Sequence, residues 1–271
     1  MKKIIVFILV SSISLALYGQ EILDNSVNFR AEYKFYFKKD STIRGYYSDI
    51  MYLDVCNSGH SLFYSRNTQY RDSIAHAMLS QSMDTYSIMN KIRSVPDGEK
   101  WVLDKNYKEQ KFILSKRFIT EIFHTSSELK IPNWEIQSDT LSINGLLCNR
   151  ATSYIGGRKW NVWFTTEVPI NEGPWLLWGL PGLIMKAEEA NGYFKFECID
   201  YGQFDNPPQI LLAVLDMPRQ KDLSLKDFIK ADILFNEDSD TFLEIFMGVY
   251  STYGDKAPKQ KYIPLFAPAY K

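Results

Sequence analysis

The chain has three cysteines, three histidines and no excess of positive charge, and each shortage closes off a class of function. Lys and Arg number 31 against 32 Asp and Glu, so no basic field exists to draw nucleic acid or anionic lipid. Cys56, Cys148 and Cys198 are too few for a disulfide scaffold and odd in number, which leaves their pairing open between buried thiols and one bridge. No two of them share zinc-ligand spacing, His60, His76 and His124 are scattered, and H-E-x-x-H is absent, so no metal site is expected. The glycine-rich loops that cradle nucleotides and the G-x-S-x-G elbow of serine hydrolases are missing too, and no cofactor is expected. Beyond the N-terminus no apolar run approaches the length of a membrane-spanning helix.

What is present begins with Met1-Lys2-Lys3, followed by an apolar run from Ile4 to Val10 that continues to Leu17, with Ala16 and Gly19 at its exit. A charged front, an apolar stretch too short to span comfortably and a small-residue exit describe a cleaved secretory signal over residues 1–19. The expectation is an exported protein, periplasmic, associated with the outer membrane or secreted. Losing Lys2 and Lys3 takes the formal charge from −1 to −3. Hydrophobic residues make up 45% of the chain, enough for a true core, and 17 Tyr with 17 Phe tilt the expectation toward strands.

Phe29 to Phe37 alternates as a strand does, and Met51–Cys56 and Leu62–Ser65 flank a four-residue hairpin loop, Asn57 to His60. Residues 66–93 lack Gly and Pro and carry apolar residues at helical spacing, with a weak centre at Ser80-Gln81-Ser82. Asp97-Gly98 reads as a turn, and Lys111–Leu114 and Phe118–Phe123 as strands. Gly156-Gly157 suits a two-residue primed turn, which sets Ser153, Ala151 and Asn149 opposite Trp160, Val162 and Phe164. It also sets Arg150 across from Trp163, within reach of a cation–π contact. Asn191-Gly192 turns a second hairpin that pairs Glu188 with Lys195 and Lys186 with Glu197, and leaves Met185, Ala187, Phe194, Phe196 and Cys198 on the other face. Past an Asp205–Pro208 loop, Ile210–Val214 reads as a strand, Ser224 to Asp227 as a helix cap, and 238–247 as a second helix. The tail, with Pro258, Pro264 and Pro268, is irregular but laid on the body. The fold expected is α+β and β-rich: a large curved antiparallel sheet built from hairpins, with a few packed helices, forming one domain over residues 20–271.

Gly173-Pro174-Trp175-Leu176-Leu177-Trp178-Gly179-Leu180-Pro181-Gly182-Leu183-Ile184 is the most informative stretch. Two prolines and three glycines punctuate it, yet Trp and Leu at this density are costly to leave wet. Leu180 to Leu183 matches a type II turn, with Gly182 needing positive φ. The segment spells GLPGLI. With Gly157-Arg158-Lys159-Trp160, Trp163-Phe164-Thr165 and Glu167-Val168-Pro169-Ile170 before it, the chain resembles the GLPGLI family of exported proteins from Bacteroidota. Leu146-Leu147 departs from the family, which more often shows an aromatic after the preceding glycine. The resemblance implies an envelope or secreted protein and transfers no activity or catalytic residue. A looser likeness, on fold analogy, to periplasmic lipoprotein carriers implies a sheet wrapped around helices over an apolar cavity.

Chemistry is hard to assemble from these residues. Glu167, Glu172, Glu188 and Glu189 cluster around the motif, and Glu188 has Lys195 as its partner while the rest read as strand-edge solvation. A Cys148 or Cys198 thiol buried in a strand would be inert. The favoured expectation is a non-catalytic envelope protein that binds an apolar ligand or a protein partner through Trp175, Trp178, Leu180, Pro181 and Leu183. Gly156, Gly157, Arg158, Gly173, Pro174, Gly179, Gly182, Asn191 and Gly192 form the supporting turns. The rivals are a secreted hydrolase with an acidic or Cys–His site, and a surface-assembly component.

Overall fold

The computed structural model describes residues 26–40, 42–205, 208, 220–249 and 261–267. The signal over 1–19, the strand expected at Ile210–Val214, and Pro258 and Pro268 lie outside the described residues. Twelve strands make one sheet: β1 (Val27–Phe37), β2 (Tyr47–Cys56), β3 (His60–Ser65), β4 (Trp101–Asn106), β5 (Lys111–Phe118), β6 (Glu121–Glu128), β7 (Glu135–Ile143), β8 (Leu146–Ile155), β9 (Arg158–Thr165), β10 (Leu183–Glu189), β11 (Phe194–Gln203) and β12 (Gln220–Asp222). Helices α1 (Arg66–Ser80) and α2 (Thr85–Arg93) fall between β3 and β4; α3 (Leu225–Glu237) and α4 (Ser239–Phe242) follow β12, and α4 runs into a π-helical turn, Leu243–Met247.

The strand order is β12-β6-β5-β4-β3-β2-β1-β11-β10-β9-β8-β7. Two antiparallel meanders, β1 to β6 and β7 to β11, therefore meet where β1 pairs with β11. The sheet is mixed rather than wholly antiparallel, because β12 runs parallel to β6. In β1 the alternation is complete: Val27, Phe29, Ala31, Tyr33, Phe35 and Phe37 are all buried.

The sheet curls. Phe63 on β3 and Phe196 on β11 are separated by three interstrand steps, about 14 Å in a flat sheet, yet their ring centroids lie 5.8 Å apart. Curling gives the two meanders one shared core on the inner face, where Phe35 stacks on Phe196 at 4.5 Å and Phe228 of α3 packs against Phe118. A smaller cluster, including Val27, Leu62, Tyr64 and Ile122, occupies the outer face of the first meander.

The hairpins follow their turn chemistry. Gly156 and Gly157 have φ of +60° and +76°, as a primed turn demands, and the expected pairing Ser153–Trp160, Ala151–Val162, Asn149–Phe164 is present. Arg150, however, donates to Asn161 Oδ1 at 3.0 Å and lies 3.6 Å from Asp139 instead of stacking on Trp163. In the β10–β11 hairpin both charge pairs form, Lys195–Glu188 at 2.8 Å and Lys186–Glu197 at 3.7 Å. Its loop is four residues long, Ala190 to Tyr193, closed by Gly192 N–H donating to Glu189 O.

Other expectations shift. The β2–β3 loop is three residues, with His60 heading β3. Asp97-Gly98 lies in an irregular connection between α2 and β4 rather than in a turn. Residues 66–93 split at the weak centre, where Ser82 takes φ of +56° and Asp84 caps α2. Phe118–Phe123 is a tight hairpin, not a strand: Phe118 pairs with Glu121 across Ile119-Thr120. Ile119 has φ of +56° there, a conformation that a β-branched residue adopts only under strain. Replacing it by glycine removes that strain from an exposed position, so Ile119→Gly should gain about 1 kcal/mol. The corresponding rise is about 2–4 °C in melting temperature, checked by calorimetry.

Candidate functional site

The segment between β9 and β10 folds as a bend packed into the mouth of the curled sheet. Leu177 N–H donates to Pro174 O at 3.1 Å, which closes a tight turn and forces Trp175 to φ of +53°. A bulky aromatic in this region is a backbone outlier that persists only where its surroundings over-determine it. They do here. Trp175 is fully buried, with Trp160 at 5.6 Å and Phe266 at 5.1 Å. Gly156 is required twice over, for its φ and because a Cβ there would overlap the Trp175 ring.

The Leu180–Leu183 bend is not a type II turn. Gly182 N–H donates to Leu180 O at 2.7 Å, an i→i+2 bond centred on Pro181, while Leu183 N–H goes to Val168 O at 3.0 Å. Gly182 takes φ of +155°, and a Cβ there would collide with the Thr165 carbonyl. Close approach of two backbones thus makes glycine necessary, more than turn type does.

The acidic residues near the motif are not edge solvation. Glu172 is buried and accepts from Lys105 Nζ at 2.5 Å, and Lys105, on the inner face of β4, is fully buried. Burial holds the Lys105 pKa below its ordinary value, with Glu172 opposing that drop. Glu189, also buried, accepts from Asn191 N and Tyr193 N and lies 3.7 Å from Arg158. Glu167 accepts from Leu147 N at 2.8 Å. Glu189 orders the Ala190–Tyr193 loop by accepting from its backbone N–H groups, Glu172 pairs a buried lysine, and Glu167 accepts from the start of β8.

Arg158 anchors the far side of the mouth. Its guanidinium donates to Leu265 O and Pro264 O at 2.9 and 2.6 Å and stacks over Phe194 at 4.9 Å. Ala267 N–H donates to Gly156 O. Residues 261–267 are thereby laid across the inner face.

Between that segment, α3 and the sheet lies a cavity of about 170 Å³. Phe35 and Phe37, stacked at 4.8 Å, line it with Trp101, Phe194 and Trp175. Polar groups from distant parts of the chain converge on its wall, among them Glu99, Lys116, Asp232 and Tyr262, with further basic residues Lys38, Lys39, Lys100 and Arg117. Lys116 Nζ lies 2.5 Å from Asp232 Oδ1, Tyr262 OH donates to Asp232 Oδ2 at 3.0 Å, and Trp101 Nε1 donates to Glu99 Oε2 at 3.1 Å. Burial pushes the Glu99 carboxyl up, with Lys116 and Lys39 opposing. Burial also lifts the Tyr262 hydroxyl well above its ordinary range. Lys116 is held above its usual value because Asp232 and Glu99 outweigh the burial that would lower it. Perturbed groups converging on an apolar cavity mark a site.

The residues expected to meet a ligand divide accordingly. Trp175 borders this cavity; Leu180 and Leu183 are sealed in the core; Pro181 is exposed. Half-buried Trp178 borders a broader, more open groove of about 830 Å³ with Tyr107, 5.0 Å away, and Ile170. The histidines lie elsewhere: His60 beside Asp104 at 2.9 Å, His76 exposed on α1, and His124 within β6, beside Ser115 at 2.7 Å. The Cys148 and Cys198 thiols point at backbone carbonyls, and burial pushes Cys198 up to about 12, which leaves it a poor nucleophile. Among the described residues no group of three metal-ligating side chains comes together, and no helix is long and apolar enough to cross a membrane.

A family model matches residues 157–186. Its description is a protein of unknown function, Porph_ging, and the match runs from the glycine turn through the Trp175 bend to Lys186. The resemblance to an uncharacterised family thus falls on the segment that builds the mouth. No curated protein matches the chain. Solved structures of PNGF-II in the P21 and C2 space groups are similar at a TM-score of 0.48 each, with 17% and 16% identity over 76% and 74% of this chain. They are covered over 33% and 32% of their own length, so the chain spans about a third of those proteins.

Two substitutions test this construction. Gly182→Ala should cost at least about 3 kcal/mol because neither strand end can retreat from the new methyl. Glu172→Ala, which strands the Lys105 ammonium in the core, should cost about 3–5 kcal/mol, whereas Lys105→Met with Glu172→Leu should recover most of that loss in urea unfolding.

Proposed function

We propose that the protein is an exported, non-catalytic binding protein that holds a small, largely apolar ligand in the cavity beside Trp175. The observation that carries this reading is the cavity itself: stacked phenylalanines on one wall, a strained and fully buried tryptophan on another, and a short polar strip between. Protein interiors pack to crystal-like density with few voids larger than a water molecule, and a space of this size among aromatic side chains favours an occupant. Export rests on the N-terminal charge and apolar pattern, and N-terminal sequencing of the mature protein from the envelope or medium tests it. A small molecule should co-purify with protein prepared from its native envelope, visible by mass spectrometry of the extract, and should vanish when Leu114→Trp fills the space. Recovery of nothing, or of the same compound from both proteins, would count against the cavity.

The rival reading, a secreted hydrolase, gains from Glu99 and Asp232 sharing one wall with Lys116, an acidic arrangement the sequence did not suggest. Turnover of ester or glycoside substrates, abolished by Asp232→Asn, would favour it.

A further inference from the structure

The cavity wall discriminates between ligand chemistries, and this step rests on the reading that the cavity is where ligand sits. Its volume, about 170 Å³, compares with the roughly 150 Å³ apolar cavity that accommodates benzene, so it admits one six-membered ring and little more. The aromatic lining, Trp101, Trp175, Phe194 and Phe266 with Phe35 and Phe37, suits a flat or slightly puckered ring.

The polar strip narrows the choice. Glu99 spends one carboxylate oxygen on the Trp101 N–H, and the other has no hydrogen-bond partner among the described residues. Lys116 uses one of its three donors on Asp232. Acceptor and donor thus line one cavity, and Lys116 is the cross-strand partner of Trp101, whose ring N–H holds Glu99. A cationic ligand would meet the Lys116 ammonium, and Lys39 beyond it. An anionic ligand would meet Glu99 and Asp232, while of the basic residues in the lining Arg117 is already held by Asp72 and Lys116 by Asp232. A hydroxyl group faces neither penalty, because it donates to the free Glu99 oxygen while accepting from Lys116. A purely apolar ring would leave both groups desolvated and unmatched.

We propose that the cavity binds a hydroxylated six-membered ring, packed among the aromatic side chains that line it and with its hydroxyl bridging Glu99 and Lys116. Phenolic rings and monosaccharides share this chemistry, and three probes separate the sources. By calorimetric titration, p-cresol or methyl β-glucoside should bind the full mature chain, and toluene should bind at least tenfold more weakly than the better of the two. Whichever hydroxylated probe binds names the source. Glu99→Gln keeps an acceptor for Trp101 and should weaken binding about fivefold, the difference between a charged and a neutral hydrogen bond. Glu99→Leu should weaken it more than tenfold. A melting temperature within a few degrees of wild type for Glu99→Gln separates lost binding from lost fold. Toluene binding as tightly as p-cresol, with no effect of either variant, would overturn the hydroxyl bridge and leave a plain apolar pocket. No binding by any probe would overturn the cavity reading as well.

Discussion

A fully buried lysine ties the two halves of this fold together. Lys105 sits on β4, in the first meander, and Glu172 on the segment between β9 and β10, in the second. Four strands of sheet, β3, β2, β1 and β11, and then β10, lie between those two elements, and only a curled sheet lets the side chains meet. A buried ammonium is tolerable only when paired, so the curl, the position of the motif and the depth of its tryptophan are set together. Tyr33, whose hydroxyl donates to Ile184 O at 2.7 Å, repeats the same stitch from β1.

The legible parts of the fold were those specified locally. Gly156-Gly157 and the Glu188–Lys195 and Lys186–Glu197 pairs fix register within a dozen residues, and period-two burial in β1 is plain from Phe29 to Phe37. Ile119-Thr120 hid a hairpin because a β-branched residue is the last type expected at positive φ. Strands β4 and β7 went unseen: β4 places Asp104 and Lys105 side by side and buries the lysine, and β7 is an exposed edge whose polar residues give little alternation.

The candidate site was hidden for a different reason. Glu99, Lys116, Asp232 and Tyr262 come from a loop, a strand, a helix and a terminal segment, and nothing in their spacing announces a meeting. Only Trp175 was both singled out from the chain and found at the cavity. What a reader could have used was the tail: Tyr262, Ile263, Leu265 and Phe266 are too apolar for a free end, and whatever they cover gains a wall. Two of the glycines singled out from the chain, Gly156 and Gly182, are held to glycine by neighbours over eight residues away as well as by their own dihedrals.

The pairing of β1 with β11 has a consequence for how the chain acquires its shape. Residues 29–37 find their second neighbour only in residues 194–203, so the seam between the meanders is the most distant contact in sequence that the sheet makes. Strands β1 to β6 can assemble as soon as they exist, but β1 then carries a bare, aromatic-rich edge until the chain has grown from Glu128, the end of β6, to β11 at Phe194–Gln203. Such an edge invites pairing with another chain. Nascent molecules of this protein are therefore most vulnerable to misassembly in the interval between the sixth strand and the eleventh, and a holding chaperone would find its natural target along the open side of β1.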